Sequence, residues 1–182
     1  MTESPLWVFG YGSLIWNPEF PVAEQGVARL DDYHRSFCMR SIHHRGTDDD
    51  PGLVLALDAV PGGVCTGVAF RVQPGAEDVT IAALRERELV SSAYLEKVCE
   101  VELADGRRVE AVTYIIDQHH VQYCSGLDLE TQAKIIAAAV GGRGPNDEYL
   151  FNTVDHLAQI GLSDPDLDWL ATRVREIGNA QR

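Results

Sequence analysis

Two glycines flank a tyrosine in an apolar stretch near the start of the chain, Trp7-Val8-Phe9-Gly10-Tyr11-Gly12-Ser13-Leu14-Ile15-Trp16. We expect Gly10 and Gly12 to permit positive φ angles and the close approach of another group. Successive N–H groups in such a turn converge on an anion or a developing oxyanion, with the hydroxyls of Tyr11 and Ser13 beside it. The alternative is a tight structural turn. No third glycine opens a helix and no Gly-Lys-Ser/Thr follows, which excludes a dinucleotide fingerprint and a Walker loop.

A charged run, Leu84-Arg85-Glu86-Arg87-Glu88-Leu89-Val90, closes a predicted helix and supplies two candidate acid–base groups. Glu88 shares the apolar stripe of Leu84, and Glu86 lies in the same way on the line of Ala83. A carboxylate on such a stripe is partly desolvated, which raises its pKa above the ordinary value of about 4.3. Periodicity does not choose between the two carboxylates. The simpler alternative is a solvated face with local ion pairs.

Histidines and cysteines are weaker candidates for chemistry. The pairs His43-His44 and His119-His120 would point to opposite faces of a strand, so neither pair chelates a metal by itself. Four cysteines lack CxxC spacing and are expected to be free thiols in core or strand positions: Cys38, Cys65, Cys99 and Cys124. A catalytic cysteine would need a base that the sequence does not identify. Without HExxH or CxxC motifs, the sequence does not favour a metal site.

The composition limits the class of partner. The 182 residues carry a net charge of −13 and are 45% hydrophobic, which suits one soluble domain over residues 1–182. An acidic chain has no basic surface to neutralise phosphates, which disfavours nucleic acid and anionic membranes. No apolar run approaches the roughly 20 residues of a membrane helix, and Met1–Pro5 does not resemble a signal peptide. We therefore expect a cytoplasmic protein with a small-molecule partner; the sequence gives no indication of oligomeric state.

The elements that must position these groups change from strands to helices along the chain. Strands are predicted at Trp7–Phe9, Gly52–Leu57, Val64–Val72, Tyr94–Leu103 and Val109–Ile116. Turn residues Pro61-Gly62-Gly63 and Asp105-Gly106 predict two hairpins among them. Helices are predicted at Glu77–Val90, Leu129–Val140, Asp147–Ile160 with Asn146 as its cap, and from Ser163 or Asp164 onward with Pro165 in the first turn. This order indicates an α+β domain, and the strand count alone does not establish that its sheet closes into a small barrel.

Seven segments spread over most of the chain share the order and residue types of one known family. They are Val8-Phe9-Gly10-Tyr11-Gly12-Ser13-Leu14-Ile15-Trp16, Phe37-Cys38-Met39-Arg40-Ser41, His44-Arg45-Gly46-Thr47, Pro51-Gly52-Leu53-Val54-Leu55-Ala56-Leu57, Gly67-Val68-Ala69-Phe70-Arg71, Arg87-Glu88 to Tyr94-Leu95 and Asn146-Asp147-Glu148-Tyr149-Leu150-Phe151. Together they resemble the ChaC-type γ-glutamylcyclotransferases, which are glutathione-specific. The resemblance implies a compact β-barrel with flanking α-helices and a cofactor-free lyase that cleaves glutathione to 5-oxoproline and cysteinylglycine.

The resemblance also implies roles for individual residues. By matching position, Glu88 is the catalytic acid–base group, and Glu86 has no counterpart role. The predicted substrate-binding residues are Gly10, Tyr11, Gly12, Ser13, Leu14, Ile15, Arg40, Tyr94 and Tyr149. Arg40 is a candidate for an anionic end of the substrate, although an arginine beside a strand is more often part of a surface ion pair. The family commonly has a glycine before the tyrosine region, where this chain has Val90-Ser91-Ser92-Ala93, a departure that bears on substrate preference.

The implied chemistry proceeds without a metal. A γ-glutamyl amide carries its own nucleophile, the α-amine, which closes a five-membered ring on the amide carbonyl. Glu88 would take the amine proton and return one to the departing cysteinyl amine. Backbone N–H groups of Gly10–Leu14 would bind either the oxyanion or the substrate α-carboxylate. The alternatives are a cyclotransferase for another γ-glutamyl peptide or γ-glutamylamine, and a non-catalytic module that binds γ-glutamyl metabolites.

Overall fold

Strands dominate the first two thirds of the computed structural model and helices the last third. The structure describes residues 4–89 and 92–182. The strands are β1 (Trp7–Gly10), β2 (Val22–Ser41), β3 (Gly52–Val72), β4 (Tyr94–Leu103), β5 (Arg108–Ile116), β6 (Val140–Gly141) and β7 (Gly144–Pro145). The helices are α1 (Glu77–Glu88), α2 (Leu129–Ala138), α3 (Asn146–Gln159) and α4 (Pro165–Ala180), and a 3-10 turn (Ser13–Ile15) follows β1. The first five strands form a closed barrel in the order β1-β3-β2-β4-β5, which confirms the predicted α+β class.

The chain divides into two compact units. Unit 1 comprises Met1–Arg35 and Leu57–Val121, and unit 2 comprises Ser36–Ala56 and Gln122–Arg182. The prediction of a single domain over residues 1–182 stays a prediction. Among the described helices of both units, none is long and apolar enough to cross a membrane.

Strand β1 lies at the centre of unit 1 and all four of its residues are buried. It pairs antiparallel with β3, where Gly10 is opposite Val68, and parallel with β5, where Val8 is opposite Val112. Successive side chains of a strand point to opposite faces. Phe9 accordingly belongs to one apolar cluster of unit 1, and Val8 belongs to another. A strand buried on both faces requires the continuous apolar run that the sequence shows.

The glycine at the end of β1 allows a close approach between strands. A Cβ at Gly67 would overlap the carbonyl oxygen of Gly10, and a Cβ at Gly10 would lie 3.1 Å from Cβ of Leu14. The expected positive φ angles are wrong, because Gly10 and Gly12 are not among the residues with positive φ, and Gly12 has a φ of −141°. Close packing, and not a left-handed turn, therefore accounts for the small residue at Gly10.

Strands β2 and β3 differ most from the prediction. No strand was predicted at Val22–Ser41, and β3 is continuous over Gly52–Val72 where a hairpin was expected. The turn residues do bend the chain, since Gly62 has a φ of 80° and Asp32 of β2 has a φ of 67°. The Gly62 N–H donates to Oδ1 of Asp32 at 3.0 Å. Two bends on neighbouring strands thus replace a chain reversal.

Unit 2 holds the last three helices, which pack against one another. Helix α4 begins at Pro165 and its N-cap is Asp164, one of the two predicted starts. The Asp164 side chain accepts from the N–H groups of Asp166 and Leu167. Asn146 does not cap α3, because Pro145 takes the cap position. The Asn146 amide instead bonds the N–H and the carbonyl of Leu53, each at 2.8 Å.

Two predicted helices end early. Helix α2 ends at Ala138, because Val140–Gly141 forms β6 and pairs with β7. Helix α1 ends at Glu88, and the predicted end at Val90 lies outside the described residues.

Three glycines of unit 2 meet where backbone segments cross, a region that we call the glycine crossing (Gly46, Gly52 and Gly141). A Cβ at Gly46 would overlap the backbone nitrogen of Gly52, and a Cβ at Gly141 would overlap that of Gly46. The neighbouring N–H groups are hydrogen-bonded, since Gly142 N–H donates to His43 O at 2.7 Å and Arg143 N–H to His44 O at 2.8 Å. The crossing is therefore closely packed, and these two neighbouring donors are both used.

Candidate active site

The turn after β1 leaves several backbone donors available. Within it, Ile15 N–H donates to Gly12 O and Asn17 N–H to Ser13 O, both at 2.9 Å. The first N–H groups of a helical turn have no partner inside that turn. Those of Gly12, Ser13 and Leu14 find no acceptor among the described residues. The turn thus offers N–H donors of the kind that hold an anion or an oxyanion.

The side chains of this turn are mostly used in packing. Tyr11 is buried, and its hydroxyl donates to the carbonyl of Tyr114 at 2.9 Å, so it anchors the turn to β5. This hydroxyl is thus already bonded within the protein, and the role of Tyr11 in binding substrate stays a prediction. Leu14 and Ile15 are buried too, and since the Ile15 N–H donates to Gly12 O, only the Leu14 N–H of these two is an available donor. The Ser13 hydroxyl accepts a hydrogen bond from Arg87 at 3.0 Å.

Glu88 is the desolvated carboxylate of the two that periodicity left open. Its side chain, on the last residue of α1, is 17% exposed, whereas Glu86 is exposed to solvent. Burial raises the pKa of Glu88 above its ordinary value, and the neighbouring Arg87 guanidinium opposes that rise. A carboxyl with a raised pKa exchanges protons near neutral pH more readily than a solvated one. The geometry therefore favours Glu88 for acid–base work.

Arg87 connects the end of α1 to the turn. Its Nη2 donates to Ser13 Oγ at 3.0 Å, and its Nη1 donates to the carbonyl of Asn17 at 2.7 Å. Its Nε lies 3.4 Å from Oε1 of Glu88. The same guanidinium thus contacts the candidate carboxylate and the segment that carries the N–H donors.

Arg85, on the same helix turn, forms an ion pair with Glu96 that also includes the Tyr114 hydroxyl. Arg85 makes a two-fold contact with Glu96 of β4, with both N···O distances at 2.9 Å, and the hydroxyl of buried Tyr114 donates to Glu96 at 3.1 Å. Burial, together with the charges of Glu96 and Glu88, raises the pKa of Tyr114. Tyr114 is therefore neutral around pH 7.

Tyr94, the third predicted site element of unit 1, begins β4 opposite Ile116. It is half-buried and packs against the apolar cluster that contains Leu14 of the turn and Leu84 of α1. The turn, the end of α1 and the start of β4 thus share one apolar cluster.

The remaining predicted site residues, Arg40 and Tyr149, belong to unit 2. Arg40 is exposed, and its backbone pairs with Gln122 through an N–H···O bond of 2.7 Å. The Tyr149 hydroxyl accepts from the N–H of Leu55 at 3.2 Å, and its ring lies edge-on to Phe37 with centroids 6.0 Å apart. Their roles in binding substrate stay predictions.

In the stretch where the family commonly has a glycine, this chain has a serine with a strained backbone. Ser92 has a φ of 54°, in the left-handed region that favours glycine. The next residue, Ala93, is fully buried, whereas Val90 and Ser91 lie outside the described residues. The backbone at Ser92 therefore has the conformation for which a glycine is suited.

Sequence reasoning missed Arg87 as a part of the site. A charged run on a helix predicts local ion pairs, whereas Ser13 is 74 residues away from Arg87 in sequence. No three His, Cys, Asp or Glu side chains in the described ranges lie together as a metal-binding group.

Comparison with known proteins first defines the fold. The crystal structure of a yeast γ-glutamylcyclotransferase specific to glutathione superposes with a TM-score of 0.84 at 24% identity, covering 96% of this chain and 97% of that one. The barrel and its helices therefore have the γ-glutamylcyclotransferase fold. The model of the ChaC-like protein family matches residues 6–177, and the chain belongs to this family.

Curated relatives extend over most of the chain. The glutathione-specific γ-glutamylcyclotransferase of Escherichia coli K12 is 39% identical over 175 residues, which cover 96% of this chain and 75% of the relative. The human glutathione-specific γ-glutamylcyclotransferase 1 is 32% identical over 175 residues, which cover 95% of this chain and 78% of the relative.

Proposed function

We propose that this protein is a glutathione-specific γ-glutamylcyclotransferase, a lyase that releases 5-oxoproline and cysteinylglycine. One observation carries the proposal: the desolvated Glu88 carboxylate is linked through a single guanidinium to a turn with unused N–H donors. The names of the ChaC-like relatives support glutathione as the substrate.

Glu88 is the proton carrier in the proposed reaction. The neutral α-amine nitrogen attacks the γ-carbonyl carbon and forms the ring C–N bond, and Glu88 accepts the proton that this nitrogen loses as it attacks. As the tetrahedral intermediate collapses, the C–N bond to the cysteine breaks and Glu88 returns the proton to the leaving amine. A raised pKa suits one carboxyl to both steps, because such a carboxylate is basic enough to accept a proton and the carboxylic acid is still acidic enough to donate it.

The turn supplies the stabilisation in this proposal. N–H groups of Gly12, Ser13 and Leu14 are donors to the oxyanion of the intermediate, or to the substrate α-carboxylate. Net charge at −13 gives the protein no general attraction for an anion, so local donors must hold it. Arg40, Tyr94 and Tyr149 remain proposed substrate contacts.

The proposed setting follows from the chemistry. The substrate is a small molecule, and the reaction as written uses no metal or other cofactor. A cytoplasmic location fits four cysteines without disulfide spacing.

The test is an assay of purified protein with glutathione, in which mass spectrometry quantifies both products. We expect 5-oxoproline and cysteinylglycine in equal amounts. Glu88→Gln should lower kcat about 10²–10⁴-fold, the range for loss of a general acid–base group. The matched control is Glu86→Gln on the exposed side of the same helix turn, which should stay within twofold. Full activity of Glu88→Gln with an inactive Glu86→Gln would reverse the assignment.

Two alternatives are separated by the same assay. Faster cleavage of γ-glutamyl-alanine than of glutathione at equal concentration would indicate a cyclotransferase for another γ-glutamyl compound. Saturable binding of glutathione without any product would indicate a binding module.

A further inference from the structure

Arg87 hydrogen-bonds to three residues of the segment that follows β1. We call these contacts, of Arg87 with Ser13, Asn17 and Glu19, the clasp. One guanidinium reaches Ser13 Oγ at 3.0 Å, the Asn17 carbonyl at 2.7 Å and a carboxylate oxygen of Glu19 at 3.3 Å. The Arg87 side chain is only 22% exposed, so these contacts are partly shielded from water. An arginine fork that bonds several acceptors at once fixes orientation as well as distance.

The clasp also extends to the candidate carboxylate. Arg87 Nε lies 3.4 Å from Oε1 of Glu88, the next residue in the chain. We propose that Arg87 is a positioning residue, which holds the N–H donors of the 12–15 turn in a fixed relation to the Glu88 carboxylate. The inference rests on the proposed function for its effect on catalysis, whereas the clasp itself rests on the contacts alone.

The expected defect lies in the chemical step. Of the two proposed acceptors for the turn N–H groups, the positioning role concerns the oxyanion. Donors that stabilise an oxyanion act in the transition state, and a shift of about 1 Å costs about 10²-fold in rate. Arg87→Gln should therefore lower kcat about 10²-fold while KM changes less than about threefold. A change in KM alone would overturn the proposal, since it would make Arg87 a simple binding group.

A lysine variant separates geometry from charge. Arg87→Lys keeps the positive charge beside Glu88, but a single ammonium does not reproduce the fork on Ser13 Oγ and Asn17 O. We expect kcat to fall about tenfold in Arg87→Lys, with the acid limb of the pH profile unchanged. In Arg87→Gln the acid limb moves to higher pH, because the guanidinium that lowers the pKa of Glu88 is absent. The Glu88 charge in turn raises the pKa of Tyr114 of β5, which stays neutral in this range.

Ser13→Ala tests the clasp from the other side. If Arg87 acts through Ser13 Oγ, the loss of kcat in Ser13→Ala should shrink when Arg87 is already Lys. Additive losses overturn the proposal. Should Arg87→Gln fail to fold, this pair of conservative variants tests the same contact.

The matched control is Arg85→Gln, which removes an arginine from the same helix turn. Arg85 pairs with Glu96 and makes no hydrogen bond to the turn among the described residues, so kcat should stay within twofold. Equal losses in Arg85→Gln and Arg87→Gln, measured on folded protein, overturn the positioning role.

Hydrogen exchange gives a readout that is independent of activity. Exchange in segment 12–19 should rise in Arg87→Gln and not in Arg85→Gln. Unchanged exchange overturns the clasp even if activity falls. If the wild-type protein makes no 5-oxoproline but the two variants still differ in exchange as expected, the proposed function is overturned and the clasp is supported.

Discussion

The turn after β1 in unit 1 and the glycine crossing of unit 2 both depend on glycine, but their backbone donors differ. At the crossing, the N–H groups of Gly142 and Arg143 donate to carbonyls of the facing segment. In the turn, three successive N–H groups find no acceptor within the described ranges. The crossing uses its donors within the protein, whereas the turn leaves its donors available, as the proposed function requires.

The neighbouring side chains differ in the same sense. Near the crossing, the polar Asn146 side chain is fully buried. Its amide accepts from the N–H of Leu53 and donates to the carbonyl of Leu53. Beside the turn, Glu88 is a partly desolvated carboxylate whose raised pKa costs stability. A buried polar group that is fully bonded stabilises a fold, whereas a strained or desolvated group indicates a site.

The largest expected effect is on the crossing. Gly46→Ala places a Cβ against the backbone of Gly52, which no rotamer change relieves. We expect a loss of about 3 kcal/mol or more in the free energy of unfolding, measured by urea denaturation. The control is Gly178→Ala in α4, where a Cβ meets nothing within 4 Å and should add about 0.5–1 kcal/mol. A loss below about 1 kcal/mol at Gly46 would show that the crossing relaxes.

The turn should respond in activity more than in stability. Gly10→Ala brings a Cβ to 3.1 Å from Leu14 and 3.3 Å from the Phe70 ring, side chains that shift by a few tenths of an ångström. We expect about 1–2 kcal/mol of lost stability and a fall in kcat of about tenfold or more. Paired urea and kinetic measurements check this, and a kcat that falls only with the unfolded fraction would remove the contrast between the two regions.

A smaller effect concerns pH. Burial raises the pKa of Glu88 in the folded protein, so the unfolded chain releases this proton first as pH rises. Wild type therefore loses stability relative to Glu88→Gln between about pH 4.3, the unfolded value, and the raised pKa. Urea midpoints at pH 4–8 should show the Gln variant more stable at pH 7, with the difference vanishing at the acid end.

The smallest effect is at Ser92. A φ of 54° destabilises the folded state by about 1 kcal/mol for a serine but not for a glycine. The greater conformational freedom of glycine in the unfolded chain offsets part of this difference. Ser92→Gly should therefore gain about 0.5 kcal/mol in the same urea assay. Ser92→Ala keeps the strained backbone and should gain nothing; equal gains in both variants would make the hydroxyl the cause.

Local patterns predicted the elements that depend on neighbouring residues. Alternation and an Asp105-Gly106 turn predicted the β4–β5 hairpin, and Gly106 does have a φ of 93°. Strand β2 was missed because its alternation breaks at Asp31 and Asp32, two exposed residues at a bend. That bend is bonded to Gly62 of β3, a partner that no local window contains.

The candidate site was likewise predictable only where it depends on neighbouring residues in the sequence. Sequence spacing gave Glu86 and Glu88 equal standing, because both lie on lines of apolar residues. Only three-dimensional packing distinguishes the exposed Glu86 from Glu88 at 17% exposure. The contacts of Arg87 with Ser13 and Asn17 join residues more than 60 positions apart, so the helix sequence alone shows just the adjacent Glu88.

The short buried β1 has a consequence for how the chain folds. Trp7 pairs with Ala111 of β5, so this pairing can form only after the chain between them has been synthesised. Such distant pairings form late, because the entropy of closing the loop is spent before their contacts form. The turn directly follows this strand, so its N–H donors reach their final positions only when β1 has paired. We therefore expect the recovery of activity during refolding to coincide with closure of the barrel.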